Sequence, residues 1–106
     1  MKFTISDAEE CYICRTFLGL STTEGLETHH FIHGRGLREL ADADGLYAKV
    51  CFRHHRALHD DPSHPYDKEL KAIAEKAFII KKMSEGYSEG QARGIFFNRY
   101  GKHFDY

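Results

Sequence analysis

The chain has 106 residues, 42% hydrophobic and 29% charged, with a net charge of −1 when histidine is neutral. That length fits one domain with a modest core, and the composition excludes a disordered or fibrous chain. The charge excludes a protein that holds nucleic acid by overall basicity alone, which leaves only local clusters: Lys49, Arg53 and Arg56 around one histidine pair, Arg35 and Arg38 after another, each with a solvated surface as its simplest role.

The opening stretch MKFTISDAEE has no apolar run ahead of its acidic residues, so no secretory leader is expected. No stretch approaches the ~20 apolar residues of a membrane span. The cysteines are Cys11, Cys14 and Cys51. An odd count speaks against a disulfide framework and for a reduced, cytoplasmic chain whose cysteines act as ligands.

The first ten residues read as a tail or a short strand, and CYIC as a tight knuckle. GLETHHF reads as a strand with imperfect alternation. HGRGLRELADADG reads as a glycine-punctuated loop with room for one helical turn at LRELA. LYAKV alternates cleanly, placing Leu46, Ala48 and Val50 on one strand face. CFRHHRALH reads as a helix, and the two prolines of DDPSHPYD end it. Asp67 is the expected N-cap of a long helix reaching about Ser84, with Leu70, Ile73, Ala74, Ala77 and Phe78 at helical spacing. Gly86 stops that helix. Ser88 and Gln91 form the pattern of a capping box for a last helix near EGQARGIFFNRY. The order is α+β in a single domain: a core over about 11–60, then a helical extension over about 66–100.

Cys11-x2-Cys14 lets one tight turn aim two sulfurs at one ion, and Cys51-x2-His54 repeats the spacing at a strand–helix corner. Together they make a Cys3His structural zinc site, whose binding energy acts as folding energy on the order of 10 kcal/mol. Spacing alone admits His55 in place of His54 as the fourth ligand. The bland reading is three reduced cysteines buried as small hydrophobes. On a helix His54 and His55 point about 100° apart, whereas His55 and His59, at i and i+4, share a face. Those two imidazoles are half of a second metal site, one without thiolates and with open positions. His29 and His30 face opposite ways on an ideal strand and reach one cleft only where the strand ends or bends. One of them then supplies a third ligand and the other stays free as a base. His33 is an alternate ligand, His64 between its prolines is expected exposed and idle, and His103 receives no role.

The set Cys-x2-Cys, HH on a strand, then Cys-x2-His-His-x3-His resembles the HNH, or His-Me finger, nuclease superfamily. It is closest to the zinc-stapled form encoded by phages and prophages. LETHHF, GLYAKVCFRHHRALH and FNRYGKHF all look like that group. The resemblance implies a small zinc-bound, treble-clef-like ββα-metal core, a hairpin plus a helix, with two additional C-terminal helices. It implies a metal-dependent endonuclease that hydrolyses phosphodiester bonds in DNA. His30 matches the general base. His29, His55 and His59 match the ligands of one catalytic divalent ion (Mg²⁺, Mn²⁺, Ni²⁺ or Zn²⁺). Cys11, Cys14, Cys51 and His54 take the structural zinc positions, and Arg35, Arg53 or Arg56 would clamp neighbouring phosphates. The chain departs from the family on the second strand, where DGLYAKV has no asparagine to orient the base. DNA is the expected partner, with no membrane, as monomer or homodimer, in the cytoplasm of a bacterial host. The competing reading is a non-catalytic zinc module that binds nucleic acid or protein on the same scaffold.

Overall fold

The computed structural model describes residues 3–104. After an irregular lead segment, the Cys11–Cys14 knuckle closes through two bonds. The Cys14 N–H donates to Cys11 Sγ at 3.3 Å, and the Arg15 N–H to the Cys11 carbonyl at 3.0 Å. The chain then winds through a short π-helical turn, Cys14–Leu18. No strand forms among residues 3–10.

Strand β1 (Leu26–His30) pairs antiparallel with β2 (Tyr47–Cys51) in a two-stranded sheet, in register Leu26↔Cys51 to His30↔Tyr47. The alternation read in LYAKV holds: Leu46, Ala48 and Val50 are buried. Between the strands the loop expectation falls short. Helix α1 spans Leu37–Asp44, eight residues rather than one turn, because Ala41 finds a place in the core and tertiary burial outweighs the poor start that Gly36 gives it. Gly45 ends α1 at φ +74°. A Cβ there would meet the Phe3 carbonyl oxygen at 1.8 Å, so only glycine allows the lead segment to lie across this corner, where the Ile5 N–H donates to the Gly45 carbonyl.

Helix α2 (Phe52–Asp60) begins directly after β2, with Cys51 as its N-cap. Helix α3 (Pro65–Ser84) starts earlier than expected. Its N-cap is His64, whose Nδ1 accepts the Tyr66 N–H, and Pro65 stands at N1, where a missing N–H costs nothing. His64 is therefore neither idle nor fully exposed. Asp67, one turn in, is buried, and its carboxylate serves other partners. Helix α4 (Glu89–Tyr100) opens on the anticipated capping box, with Ser88 and Gln91 bonding reciprocally.

One contiguous core joins all of this. Ile13, Phe31, Leu46, Val50 and Leu58 belong to the same buried cluster as Leu70, Ala74 and Phe78 of α3 and Phe96 and Tyr100 of α4. Two carboxylates hold distant parts. Asp44 accepts from Tyr100 Oη and Arg99 Nε, each at 2.5 Å, fastening α1 to α4. Glu75, with no exposed surface, accepts from His103 Nδ1 at 2.6 Å and the Phe104 N–H at 2.5 Å, which gives His103 the role that sequence left blank. Among the described residues no helix is long and apolar enough to cross a membrane.

Candidate metal centre and histidine cavity

The knuckle and the β2–α2 corner meet. Cys11, Cys14 and Cys51 are buried, and their sulfurs lie 3.7, 3.5 and 3.3 Å from one atom, His54 Nδ1. Bond lengths of 2.3 Å to sulfur and 2.0–2.1 Å to nitrogen, at tetrahedral angles, put such ligands about 3.6 Å apart. The four ligand atoms all fall within 4.8 Å of one another, so this is a Cys3His cluster that can hold a metal such as zinc. Cys51 at the N-cap and His54 three residues on lie on one side of the first helical turn, and the positive end of α2 favours thiolate there. Burial, with His64 nearby, lowers the pKa of His54, which keeps its ring a lone-pair donor. Tyr66 closes the cluster from the side, its ring edge-on to His54 at 5.9 Å and stacked on Phe17 at 4.7 Å.

The next residue along α2 faces a different space. His55 and His59 reach a cavity of about 600 Å³ between β1 and α2, which His29, His30, His33 and Arg38 also line. The two consecutive strand histidines both reach it because β1 ends at His30. Ring centres stand 5.2 Å apart for His29 and His55, 5.2 Å for His55 and His59, and 6.1 Å for His29 and His33. Two imidazoles bonded to one ion at tetrahedral angles have centres about 5 Å apart. The ligand nitrogens are not drawn in as they are in the sulfur site. Among the described residues only the Cys3His group is gathered within 4.8 Å.

His29 is the buried member, 6% exposed, with Ala48 opposite it in register leaving room for the ring. Its Nε2 is buried with no hydrogen-bond partner among the described residues, a state that costs free energy in a fold. Burial first, then the nearby rings of His55 and His33, push its pKa down to about 3, so the ring stays neutral. Each neighbour is held by a carboxylate: His55 Nδ1 donates to Glu27 at 3.0 Å, His33 Nε2 to Asp67 at 2.8 Å, and His30 Nε2 to Asp42 at 2.9 Å. An ionised carboxylate only accepts. In the neutral ring the proton therefore lies on the bonded nitrogen, and the lone pair on the other.

The arginines divide differently from expectation. Arg35, Arg53 and Arg56 are exposed and absent from the cavity wall, and Arg53 lies over the Phe52 ring at 5.9 Å. Arg38, on the first turn of α1, lines the cavity instead. The sequence assigns no site role to Asp42, Glu27 or Arg38 and reads Asp67 only as a helix cap; the three carboxylates bond histidines 12 or more positions away, and no local pattern marks those pairings. No known family, curated protein or solved structure matches the chain.

Proposed function

We propose that this chain is a metal-dependent endonuclease of the HNH type that hydrolyses phosphodiester bonds in DNA. Its scaffold would be a treble-clef-like ββα-metal core in which β1, β2 and α2 frame the cavity and the Cys3His cluster holds a structural zinc. The observation that carries this reading is the orphaned, buried Nε2 of His29, in a ring 5.2 Å from that of His55 on the wall of a cavity that His30 and Arg38 also line. An unpartnered imidazole nitrogen among other imidazoles fits a divalent cation by its donor chemistry, and His29, His55 and His59 would hold it. When bound, such an ion offsets charge developing on the phosphate and on the leaving 3′ oxygen, by several kcal/mol.

The chain's own residues supply the rest. Asp42 accepts the Nε2–H of His30 and so leaves Nδ1 free to take a proton from the attacking water, a role worth ~10²–10⁴-fold in rate. This carboxylate takes the orienting part that an asparagine on the second strand would have had. Glu27 turns His55 in the same way, as outer partners of metal-binding histidines generally do. Arg38, on the cavity wall, would hold a neighbouring phosphate through paired N–H groups. Attack on phosphorus breaks the P–O3′ bond and leaves a 5′-phosphate and a 3′-hydroxyl. The resemblance to phage and prophage enzymes supports a bacterial cytoplasm as the setting of this activity.

The alternative, a non-catalytic zinc module that binds nucleic acid or protein on the same scaffold, is favoured by the looser spacing of the imidazoles relative to the sulfur site. One assay separates the two. Supercoiled plasmid is incubated with the zinc-loaded protein and Mg²⁺, Mn²⁺, Ni²⁺ or Zn²⁺, beside His30→Ala and Asp42→Ala. Nicking by the wild type, lost in His30→Ala and weakened in Asp42→Ala, is the expected result. A wild type inert with every ion leaves the binding module standing, and equal nicking by His30→Ala removes His30 as the base.

A further inference from the structure

The His33–Asp67 pair stands outside the ligand set just named, and its construction is unusual for a loop histidine. Phe31 and Ile32, both fully buried, anchor the loop immediately before it. The His33 side chain is 40% exposed and that of Asp67 only 3%. A buried carboxylate must be paired, but Asp67 already has an ion pair one turn along α3, Lys71 Nζ at 2.8 Å. Charge balance therefore does not require His33. What the second bond adds is orientation: it holds a ring of the cavity wall by its Nε2 and, in the neutral ring, assigns the proton to that nitrogen.

We propose that His33, held in place by Asp67, is a fourth imidazole donor to the divalent ion of the His29–His55–His59 cavity, with Asp67 its positioning residue. The inference rests on the reading of that cavity as a second ion site. Three observations converge on it. His33 lines the same cavity as the other three rings. Its ring centre lies 6.1 Å from that of His29, a spacing two imidazoles adopt on one ion when the angle between them is wide. Its ring is held by a carboxylate, as that of His55 is by Glu27, though through Nε2 rather than Nδ1. The resulting donor set has four imidazoles and neither thiolate nor carboxylate, which selects zinc, nickel or cobalt over magnesium.

The test uses the full chain with its zinc in place and Co²⁺ as the probe, followed by calorimetry and by the visible absorption of bound cobalt. The wild type takes up one Co²⁺ beyond the resident zinc. His33→Ala lowers that affinity by tenfold or more and changes the cobalt spectrum, with the melting temperature held. Asp67→Asn lowers affinity ~10–100-fold, as removal of outer-shell partners does, but produces no further loss in a His33→Ala background. Lys71→Met, which keeps the His33 bond, leaves cobalt binding unchanged. Unaltered affinity and spectrum in His33→Ala overturn the proposal. So does an Asp67→Asn loss that persists without His33, since it marks a purely structural carboxylate. A wild type that takes no second ion sinks the endonuclease reading itself, whereas wild-type binding indifferent to His33 sinks only this one.

Discussion

Replacing Cys11 with serine tests the metal clasp directly. The cluster joins the knuckle to the β2–α2 corner, and Cys14 and His54 are 40 positions apart. Closing a loop of that length costs about 3 kcal/mol of chain entropy, and the clasp spares folding that cost. The full binding free energy of a thiolate-rich zinc site is greater, on the order of 10 kcal/mol or more, comparable with the whole stability of a domain this size. At roughly 4–8 °C per kcal/mol, loop closure by itself predicts a fall in Tm of about 12 °C or more. Loss of the full binding free energy leaves no folded state at room temperature. Cys11→Ser and the wild type are compared by elemental zinc content and by thermal melting followed with circular dichroism. The variant is expected to hold well under one zinc per chain and to melt far below the wild type or show no transition. One full zinc per chain in the variant, with a Tm within about 3 °C of the wild type, would refute the ligand assignment.

Acid should weaken the fold through His29. In the unfolded chain that histidine binds a proton near pH 6.5. In the native state burial delays protonation to about pH 3. The unfolded state therefore binds more protons throughout that window, and stability present above pH 6.5 is lost as pH falls, by about 1.4 kcal/mol per unit and about 2 kcal/mol by pH 5. Urea midpoints at pH 7 and pH 5 should converge in His29→Leu, and an equal pH loss in the variant would count against this origin. Gly45→Ala forces a side chain onto the Phe3 carbonyl at positive φ and should cost about 2 kcal/mol or more in urea unfolding. A change under about 0.5 kcal/mol would mean the lead segment is not held there. His103→Ala strips one partner from the fully buried Glu75 and should cost about 3–5 kcal/mol. Glu75→Gln in the same chain should recover part of that loss, because a neutral amide tolerates burial better, and a cost below about 1 kcal/mol would show the carboxylate is not confined as described.

The readable parts of this chain were those governed by short-range rules. LYAKV alternates because one strand face is buried. Ser88 and Gln91 satisfy helix-end donors within a single turn. The two Cys/His pairs carry their spacing in the sequence because each is one local turn. The readings that failed depended on contacts between distant residues. Helix α1 runs beyond the single turn that LRELA announces because Ala41 is buried, a contact that the flanking glycines of HGRGLRELADADG conceal. Asp67 had the chemistry of a cap, yet Pro65 at N1 marked an earlier start, and the carboxylate was drawn inward by Lys71 and His33. Asp42 beside His30 crosses from α1 to the end of β1, and Arg38 enters the cavity wall only once α1 is folded. The histidine count made a shared site plausible, but which nitrogen of each ring stays available is set by carboxylates that periodicity does not locate.

His54 and His55 are consecutive on α2, one turned to three sulfurs and the other to the imidazoles of the cavity. That single peptide link ties the aim of His55 to the integrity of the thiolates. An oxidant that converts those sulfurs to disulfide would release His54, let the first turn of α2 fray, and misdirect His55 without touching any residue of the cavity. The surrounding redox state would thereby act as an input to whatever the histidines do, and exposure to peroxide should abolish it reversibly, with recovery on adding a thiol reductant and fresh zinc.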